Sequence, residues 1–210
     1  MSDLVGLCGQ SCPSHEDVLL ALDEALGTDA VDQAPARIAA LAAGLPEHDA
    51  IGHDPVHELA VVAGLLRDEF VVDGDGSLAM SEVLADGGGH PLAIAAAVVC
   101  AAQRRGLPID LVGNGERVWL AHTGGETPYV VDPAGAQSAF DARSLGVDLH
   151  WRCAHEVAGL VLDRVIDRAE RCGDLGTAVR GAELRGALRM DDEAARSHGT
   201  EVQRLRARLN

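Results

Sequence analysis

The sequence predicts an α+β fold in which a buried central helix packs against a small antiparallel sheet, between a helical lead-in and a helical tail. Apolar residues recur at three- and four-residue spacing over 15–45 and again after Cys153, which is typical of amphipathic helices. From Pro91 to about Arg105 nearly every face is apolar, which indicates a buried helix. Short β-prone runs between glycines follow this helix and predict the sheet.

The first segment, residues 1–55, is expected to hold a flexible N-terminal tail and two helices. Ser14 can cap the first helix, because its hydroxyl accepts a hydrogen bond from a free backbone N–H. Gly27 favours the end of that helix, and Pro35 suits the first turn of the second.

The second segment, residues 56–150, is the expected core. A helix from Val56 to Phe70 begins it, and Ser77 is expected to cap a short helix that runs to Leu84. Three glycines at 87–89 are then expected to form a flexible turn before the central helix, which Gly106 ends. The runs that predict an antiparallel meander are Ile109–Gly113, Arg117–His122 and Pro128–Val131.

The third segment, residues 151–210, is an expected α-helical tail. A helix from about Cys153 is broken at Cys172–Asp174, and helices over Leu175–Arg189 and Glu193–Leu209 follow. This tail also differs in charge from the rest of the chain. Residues 1–150 hold 6 Arg against 23 acidic residues, whereas residues 151–210 hold 11 Arg against 10.

The charge pattern limits the kinds of molecule that the chain is expected to bind. The chain has a formal net charge of -16, and the arginines of the tail alternate with acids at helical spacing. A polyanion would be repelled by the first two segments, so nucleic acid is not expected as a partner. A protein or peptide with a basic surface fits better.

The expected cellular compartment follows from the lack of membrane-span, signal-peptide and disulfide patterns in the sequence. No run of eighteen or more uncharged apolar residues occurs, and no basic region precedes an apolar run near the N-terminus. The five cysteines are odd in number and irregularly spaced, which does not predict a disulfide framework. A cytoplasmic protein with reduced thiols and no membrane span is therefore expected.

Several short motifs between Ser77 and Asp132 match a known family in their order along the chain. Ser77-Leu78 and Val83-Leu84 correspond to "NS-x-L-x-x-VL", Gly89-His90-Pro91-Leu92 to "G-x-P-x-x-L", and Asp132-Pro133 with Gly135 to "DP-x-x-G", each with a spacing that differs from the motif by one or two residues, and Gly106-Leu107 follows the helix. This segment resembles the SirB-type transglutaminase-like proteins, also called the second transglutaminase core family. The family's usual Asn is Gly76 here. The resemblance implies a transglutaminase-like, papain-like core.

The resemblance also implies where a catalytic site would lie and what it lacks. Family enzymes place a cysteine at the N-terminus of the central helix, and a histidine oriented by a carboxylate on the neighbouring strands. The helix position here is Pro91 or one of its neighbours His90 and Leu92, none of which is a thiol; the histidine position is Arg117, and only Asp132 is retained. Cys100 would lie ~13 Å along a buried helix, too far to replace the nucleophile. The resemblance therefore implies a pseudoenzyme.

The remaining residues of the expected groove have more than one interpretation. His90 lies just before the helix, where it could meet an anionic ligand or be an ordinary loop residue. Asp132 could pair with Arg117, or only begin the turn at Asp-Pro. Strand alternation turns His122 away from Arg117, and we expect it at the surface or at the strand end.

The tail resembles one tetratricopeptide-type unit, a module that SirB-type proteins often carry. The matching residues are Gly173-Asp174 and Ala178, followed by Arg185, Leu188 and Asp191. A single unit cannot bury its apolar face alone, so it is expected to pack on the domain or on a partner.

Two alternatives to a binding protein stay open. Cys8, Cys12 or Cys153 could supply a relocated nucleophile for a cysteine-dependent acyltransferase or peptidase. Cys8, Cys12 and His15 could bind zinc with a fourth ligand from His48, His53 or His57, although half of the usual spacing is missing.

The preferred hypothesis is a non-catalytic, regulatory binding protein. No P-loop, hydrolase-elbow or zincin motif occurs, and no cofactor is expected. The groove around His90, Pro91, Arg117 and Asp132, together with the tail, is the expected recognition surface.

Overall fold

A computed structural model describes residues 4–11, 13–47, 54–124, 129–135, 138–188 and 192–209 of the 210-residue chain. Helices and a small antiparallel sheet make up these residues, so the predicted α+β class is confirmed. None of the helices in the described ranges is both long enough and apolar enough to cross a membrane.

The helices follow the predicted periodicity closely, except that a short helix with buried Leu4, Leu7 and Cys8 lies where a flexible N-terminal tail was expected. Their bounds are α1 Leu4–Cys8, α2 His15–Leu26, α3 Ala34–Gly44, α4 Pro55–Glu69, α5 Met80–Asp86, α6 Pro91–Arg104, α7 Ala154–Cys172, α8 Leu175–Ala187 and α9 Asp192–Leu209. Ser14 caps α2 as expected, because its Oγ accepts the backbone N–H of Asp17 at 3.0 Å. Gly27 ends that helix in the left-handed conformation, with φ of 88°.

The strands extend the predicted meander. Their bounds are β1 Val71–Val72, β2 Gly88–Gly89, β3 Ile109–Asn114, β4 Arg117–His122, β5 Tyr129–Val131, β6 Phe140–Asp141 and β7 His150–Trp151. The main sheet has the order β6-β5-β4-β3-β7, and every neighbouring pair is antiparallel. Strands β6 and β7 were not predicted from the sequence, because a run of two residues is too short to show an alternation of apolar and polar residues. Pro128, the predicted start of β5, lies outside the described residues.

The chain forms two compact units, and the three predicted segments are divided between them. One unit comprises residues 1–29 and 153–210, and the other comprises residues 30–152. The second boundary falls two residues from the predicted start of the tail. The lead-in helices separate, because α2 packs on α7 and α8 whereas α3 packs on α5 and α6.

In the first unit, α2 covers the apolar side of the tail helices. Consecutive helices α7, α8 and α9 pack on one another, and a small cluster around Ile166, Ala178 and Leu205 is buried between them. Arg180 on α8 donates to the carbonyl of Ala25 at the end of α2, at 2.6 Å. The tail thus packs on a helix from the start of the chain.

The arginines of the tail form ion pairs between its helices. Glu170 of α7 accepts hydrogen bonds from Arg204 at 3.1 and 2.9 Å, and a further one from Arg208. Arg206 pairs with Glu183 of α8 at 2.6 Å. The helical interleaving of charge seen in the sequence therefore joins α9 to its neighbours.

Replacing Glu170 by Gln should make the tail less sensitive to acid. The hydrogen bonds from Arg204, and then those from Arg208, lower the pKa of Glu170 from its ordinary value of 4.5. A lowered folded-state pKa stabilises the protein above pH 4.5, and this contribution disappears as pH falls through the lowered value. Between pH 6 and pH 3 we expect the wild type to lose about 0.5–1 kcal/mol more stability than Glu170→Gln in urea unfolding. Parallel pH profiles would contradict this, and Asp167→Asn, an exposed acid of the same helix, is the control.

In the second unit, α6 is the central helix. All residues from Leu92 to Ala102 are buried, Cys100 with 2% exposure, which confirms the predicted buried helix. Arg104 and Arg105 at its end donate to the carbonyls of Pro35 and Leu45 at the two ends of α3. Gly106 follows with φ of 75°, as the predicted stop requires.

The segment before α6 differs from its prediction. Ser77 does not cap α5 directly, because that helix begins at Met80; its Oγ accepts from Ala79 and donates to Glu82. The glycines at 87–89 are not only a flexible turn, since two of them form strand β2, parallel to β1. Glycine is required at Gly89, where a Cβ would lie 2.5 Å from Val83 Cγ2 and 2.9 Å from the Ser77 carbonyl oxygen.

Candidate functional site

The N-terminus of α6 is closed by its own cap. Pro91 is the first helical residue, and His90 is the N-cap, whose Nδ1 accepts the backbone N–H of Leu92 at 3.1 Å. The His90 backbone N–H donates to the Ser77 carbonyl at 2.9 Å. One of the backbone donors that an anion could use is therefore already bound by His90, which acts as a capping residue.

The start of α6 carries no thiol. Leu92 beside Pro91 is buried, and Cys100 lies well inside the helix with 2% exposure. Cys100 is also the one cysteine in the sequence of residues 30–152. Within this unit the helix terminus therefore has no nucleophile of the kind that transglutaminase-type chemistry uses.

Arg117 and Asp132 lie together, as one of the two sequence interpretations predicted. Arg117 Nη2 is 3.6 Å from Asp132 Oδ2, and the side chains are 69% and 31% exposed. The other interpretation also holds, because Asp132 Oδ1 accepts the backbone N–H of Ala134 at 2.9 Å and so begins the turn. The carboxylate thus uses one oxygen for the turn and directs the other towards the guanidinium.

This pair sits on the outer face of the main sheet. The guanidinium carbon of Arg117 lies 5.0 Å from the ring centroid of Trp119, two residues along β4. Trp119 is buried in a cluster that includes Val112, Val130 and Ala142. Its Nε1 is buried with no hydrogen-bond partner among the described residues.

The helices cover the opposite face of the sheet. Glu58 of α4 bonds to His122, whose position in β4 turns it away from Trp119. Helix α6 contacts β3 and β4, and none of its buried residues belongs to the Trp119 cluster. The candidate groove residues therefore form two sets, with Arg117 and Asp132 on the outer face and His90 and Pro91 at the helix layer.

A buried pair that sequence analysis did not predict lies between α4 and β4. His122 Nε2 is 3.0 Å from Glu58 Oε2, and the side chains are 6% and 0% exposed. His122 Nδ1 accepts the backbone N–H of Gly124 at 2.9 Å. The expectation of a surface histidine was wrong, although His122 does end its strand.

The two contacts of His122 select one tautomer. Because Nδ1 accepts from Gly124, the proton is on Nε2, which then donates to the Glu58 carboxylate. The arrangement holds the end of β4 and the loop after it against the first turn of α4.

The sequence contained a signal for this pair. Glu58 precedes Val62 by four residues and Leu66 by eight, so it lies on the apolar stripe that predicted α4. An acid on such a stripe needs a buried partner, because an unpaired carboxyl group is costly there. Its partner could not be named, since several histidines of the chain were equally available.

The predicted zinc ligands are not brought together in the described part of the chain. Cys8 and His15 are both buried, at 4% and 5% exposure, whereas His57 is exposed on α4. Cys12, His48 and His53 lie outside the described residues. Within the described ranges no group of three or more His, Cys, Asp or Glu side chains could hold a metal ion.

Two other cysteines are exposed. Cys153 precedes α7, and its backbone N–H donates to Glu156 Oε2 at 2.9 Å. Cys172 is the last residue of the same helix. Both belong to the unit of residues 1–29 and 153–210.

Comparison with known proteins gives a likeness in fold. No family model matches the chain, and no curated protein matches it either. Among solved structures the chain is similar to menin, in a crystal structure that reveals the binding site for the Mixed Lineage Leukemia (MLL) protein. The TM-score is 0.56 at 12% sequence identity, and the match covers 99% of this chain and 62% of the menin chain. At this identity the likeness shows a shared fold alone.

Proposed function

We propose that this chain is a non-catalytic transglutaminase-like protein that acts by binding a protein or peptide. The observation that carries the proposal is the N-terminus of α6, where His90 caps the helix and the cysteine of this unit is buried at Cys100. At the position of the family's histidine stands Arg117, whose guanidinium stays protonated and cannot act as a general base.

The outer-face pair is the part of the candidate groove best suited to recognition. Arg117 is largely exposed, stacks on Trp119 and is only loosely paired with Asp132, at 3.6 Å. Arginine is enriched at binding hot spots, because its planar guanidinium combines stacking with hydrogen bonds. A partner can compete for the guanidinium while its own basic groups meet Asp132 and other acidic residues of the same unit.

The similar structure, menin, is described by a binding site for another protein, MLL. This chain spans 62% of the menin chain, and one fold can serve many functions. A binding function is compatible with this likeness in fold, which leaves the partner open.

Partner capture from an extract of the source cells tests this proposal. Replacing Arg117 and Asp132 together by Ala should reduce the captured partner by about tenfold, the size of a moderate hot spot. The matched control is Arg143→Ala with Asp141→Ala, a second exposed Arg–Asp pair of the same unit, with its closest contact at 2.6 Å. Equal capture by the two double variants would count against the outer-face pair.

The same preparations, treated with iodoacetamide, separate the binding protein from an enzyme with a relocated nucleophile. Exposed Cys153 and Cys172 should react at the rate of ordinary thiols, and Cys100 should react only after unfolding. Rapid alkylation of Cys8, Cys12 or Cys153 near neutral pH would favour the enzyme instead, because an activated thiolate is the reactive species.

A further inference from the structure

The short sheet of β1 and β2 has one open edge. In the parallel register Val71 pairs with Gly88 and Val72 with Gly89. The N–H groups of Val71 and Asp73 both donate to this partner strand, to the carbonyls of Gly87 and Gly89. Because successive residues of a strand direct their backbone groups to alternate edges, the N–H and C=O of Val72 face the other edge. Among the described residues no strand covers that edge.

The side chains on this strand are apolar and exposed. Val71 is 73% exposed and Val72 is 38% exposed, and both are β-branched residues that favour strands. Proteins usually protect an edge strand with charge, proline or a covering element, since an open edge pairs readily with another chain. Here the two valines are left uncovered, and the protection takes the form of flanking acids.

The charged residues around the edge are mostly acidic. Residues 67–75 contain four acidic residues and one Arg. Asp68 and Glu69 end α4, Asp73 and Asp75 follow β1, and all four are exposed. Within the described residues no ion pair is found for Asp68, Glu69 or Asp75. An incoming strand that carried acids would be repelled, and one that carried arginine or lysine would be attracted.

We infer that the open edge of β1 is a docking site for an extended basic peptide, in which Arg or Lys residues are interspersed with β-branched aliphatic residues. The peptide adds as a strand, with main-chain hydrogen bonds to Val72, aliphatic contact with Val71 and Val72, and charge pairing with the flanking acids. This site is separate from the Arg117–Asp132 pair, and neither proposal depends on the other.

Fluorescence anisotropy with the full chain tests the inference. The probe is a fluorescein-labelled Arg-Val-Arg-Val-Arg-Val peptide, with an analogue carrying Glu for Arg and a second analogue methylated on every backbone nitrogen. We expect Asp68→Asn with Glu69→Gln and Asp75→Asn to weaken binding of the Arg peptide by about tenfold. The control is Asp29→Asn with Asp32→Asn and Asp148→Asn, three exposed acids elsewhere, which should weaken it less than about twofold.

Each comparison in this experiment has an outcome that would contradict a docking site at the edge of β1. Equal losses in the two triple variants would assign the attraction to net charge alone. Unchanged binding of the methylated peptide would exclude strand addition, because that peptide cannot donate to the edge. Loss of binding in the Arg117→Ala, Asp132→Ala variant would show that the peptide binds at the outer face of the main sheet. Equal binding of the Glu analogue would show that charge pairing with the flanking acids does not contribute.

Discussion

Replacing His122 by Leu should lower the free energy of unfolding by about 3 kcal/mol, because it removes a hydrogen-bond donor from a fully buried carboxyl group. Glu58 is 0% exposed, and His122 Nε2 lies 3.0 Å from its Oε2. Leucine is similar in size to histidine, so the loss comes from the missing hydrogen bond to Glu58 more than from a cavity. Urea unfolding followed by far-UV circular dichroism measures this change.

A double-mutant cycle separates the pair from general disruption of the core. Glu58→Leu alone leaves the His122 N–H unpaired and should cost about 1–3 kcal/mol. The double variant Glu58→Leu with His122→Leu removes both polar groups, and its cost should fall well below the sum of the two single variants. His57→Leu, the same substitution at an exposed position of α4, should stay within about 0.5 kcal/mol of the wild type. Additive costs in the cycle would contradict a direct interaction.

The elements of this fold that could be predicted from sequence are those with a strong period. Helix α6 was predicted because an apolar run of its length fits only a buried helix, and α2 and α4 because their apolar stripes recur at helical spacing. Strand β4 was predicted at its observed bounds, since Gly115, with φ of 57°, forms the tight turn that precedes it.

The parts that could not be predicted depend on contacts between distant segments. The packing of α2 on the tail depends on which apolar helix faces come into contact, and no local sequence pattern shows this. The two-residue strands β1 and β2 likewise exist only because residues far apart along the chain meet, at Val71 with Gly88 and Val72 with Gly89. Short strands have too few residues for an alternation to appear.

The candidate site shows the same limit. The resemblance to the SirB-type motifs led to the expectation that Arg117 and Asp132 lie on neighbouring strands, and an ion pair between them was one of two interpretations. The sequence did not predict which face of the sheet these two residues occupy. Strand alternation shows which residues share a face, but it does not show which of the two faces the helices cover. His122 and Glu58 show the consequence, because they lie on the face that the helices bury.

Replacing Gly76 by Ala should cost about 2–3 kcal/mol, because the loop before α5 has no space for a side chain at this position. A Cβ on Gly76 would lie 2.7 Å from the Gly89 Cα and 2.8 Å from the Gly89 carbonyl carbon. Both are backbone atoms of β2, and the next residue, His90, caps the central helix. The strain would therefore reach the start of α6.

The matched control is Gly74→Ala in the same loop, where a Cβ would meet nothing within 4 Å. This variant should be neutral or more stable by up to about 1 kcal/mol, since alanine restricts the unfolded chain more than glycine does. Gly76→Asn restores the residue that the SirB-type motif carries and should be at least as destabilising as Gly76→Ala. Urea unfolding in which Gly76→Ala and Gly74→Ala are equally stable would show that the loop can open around a side chain.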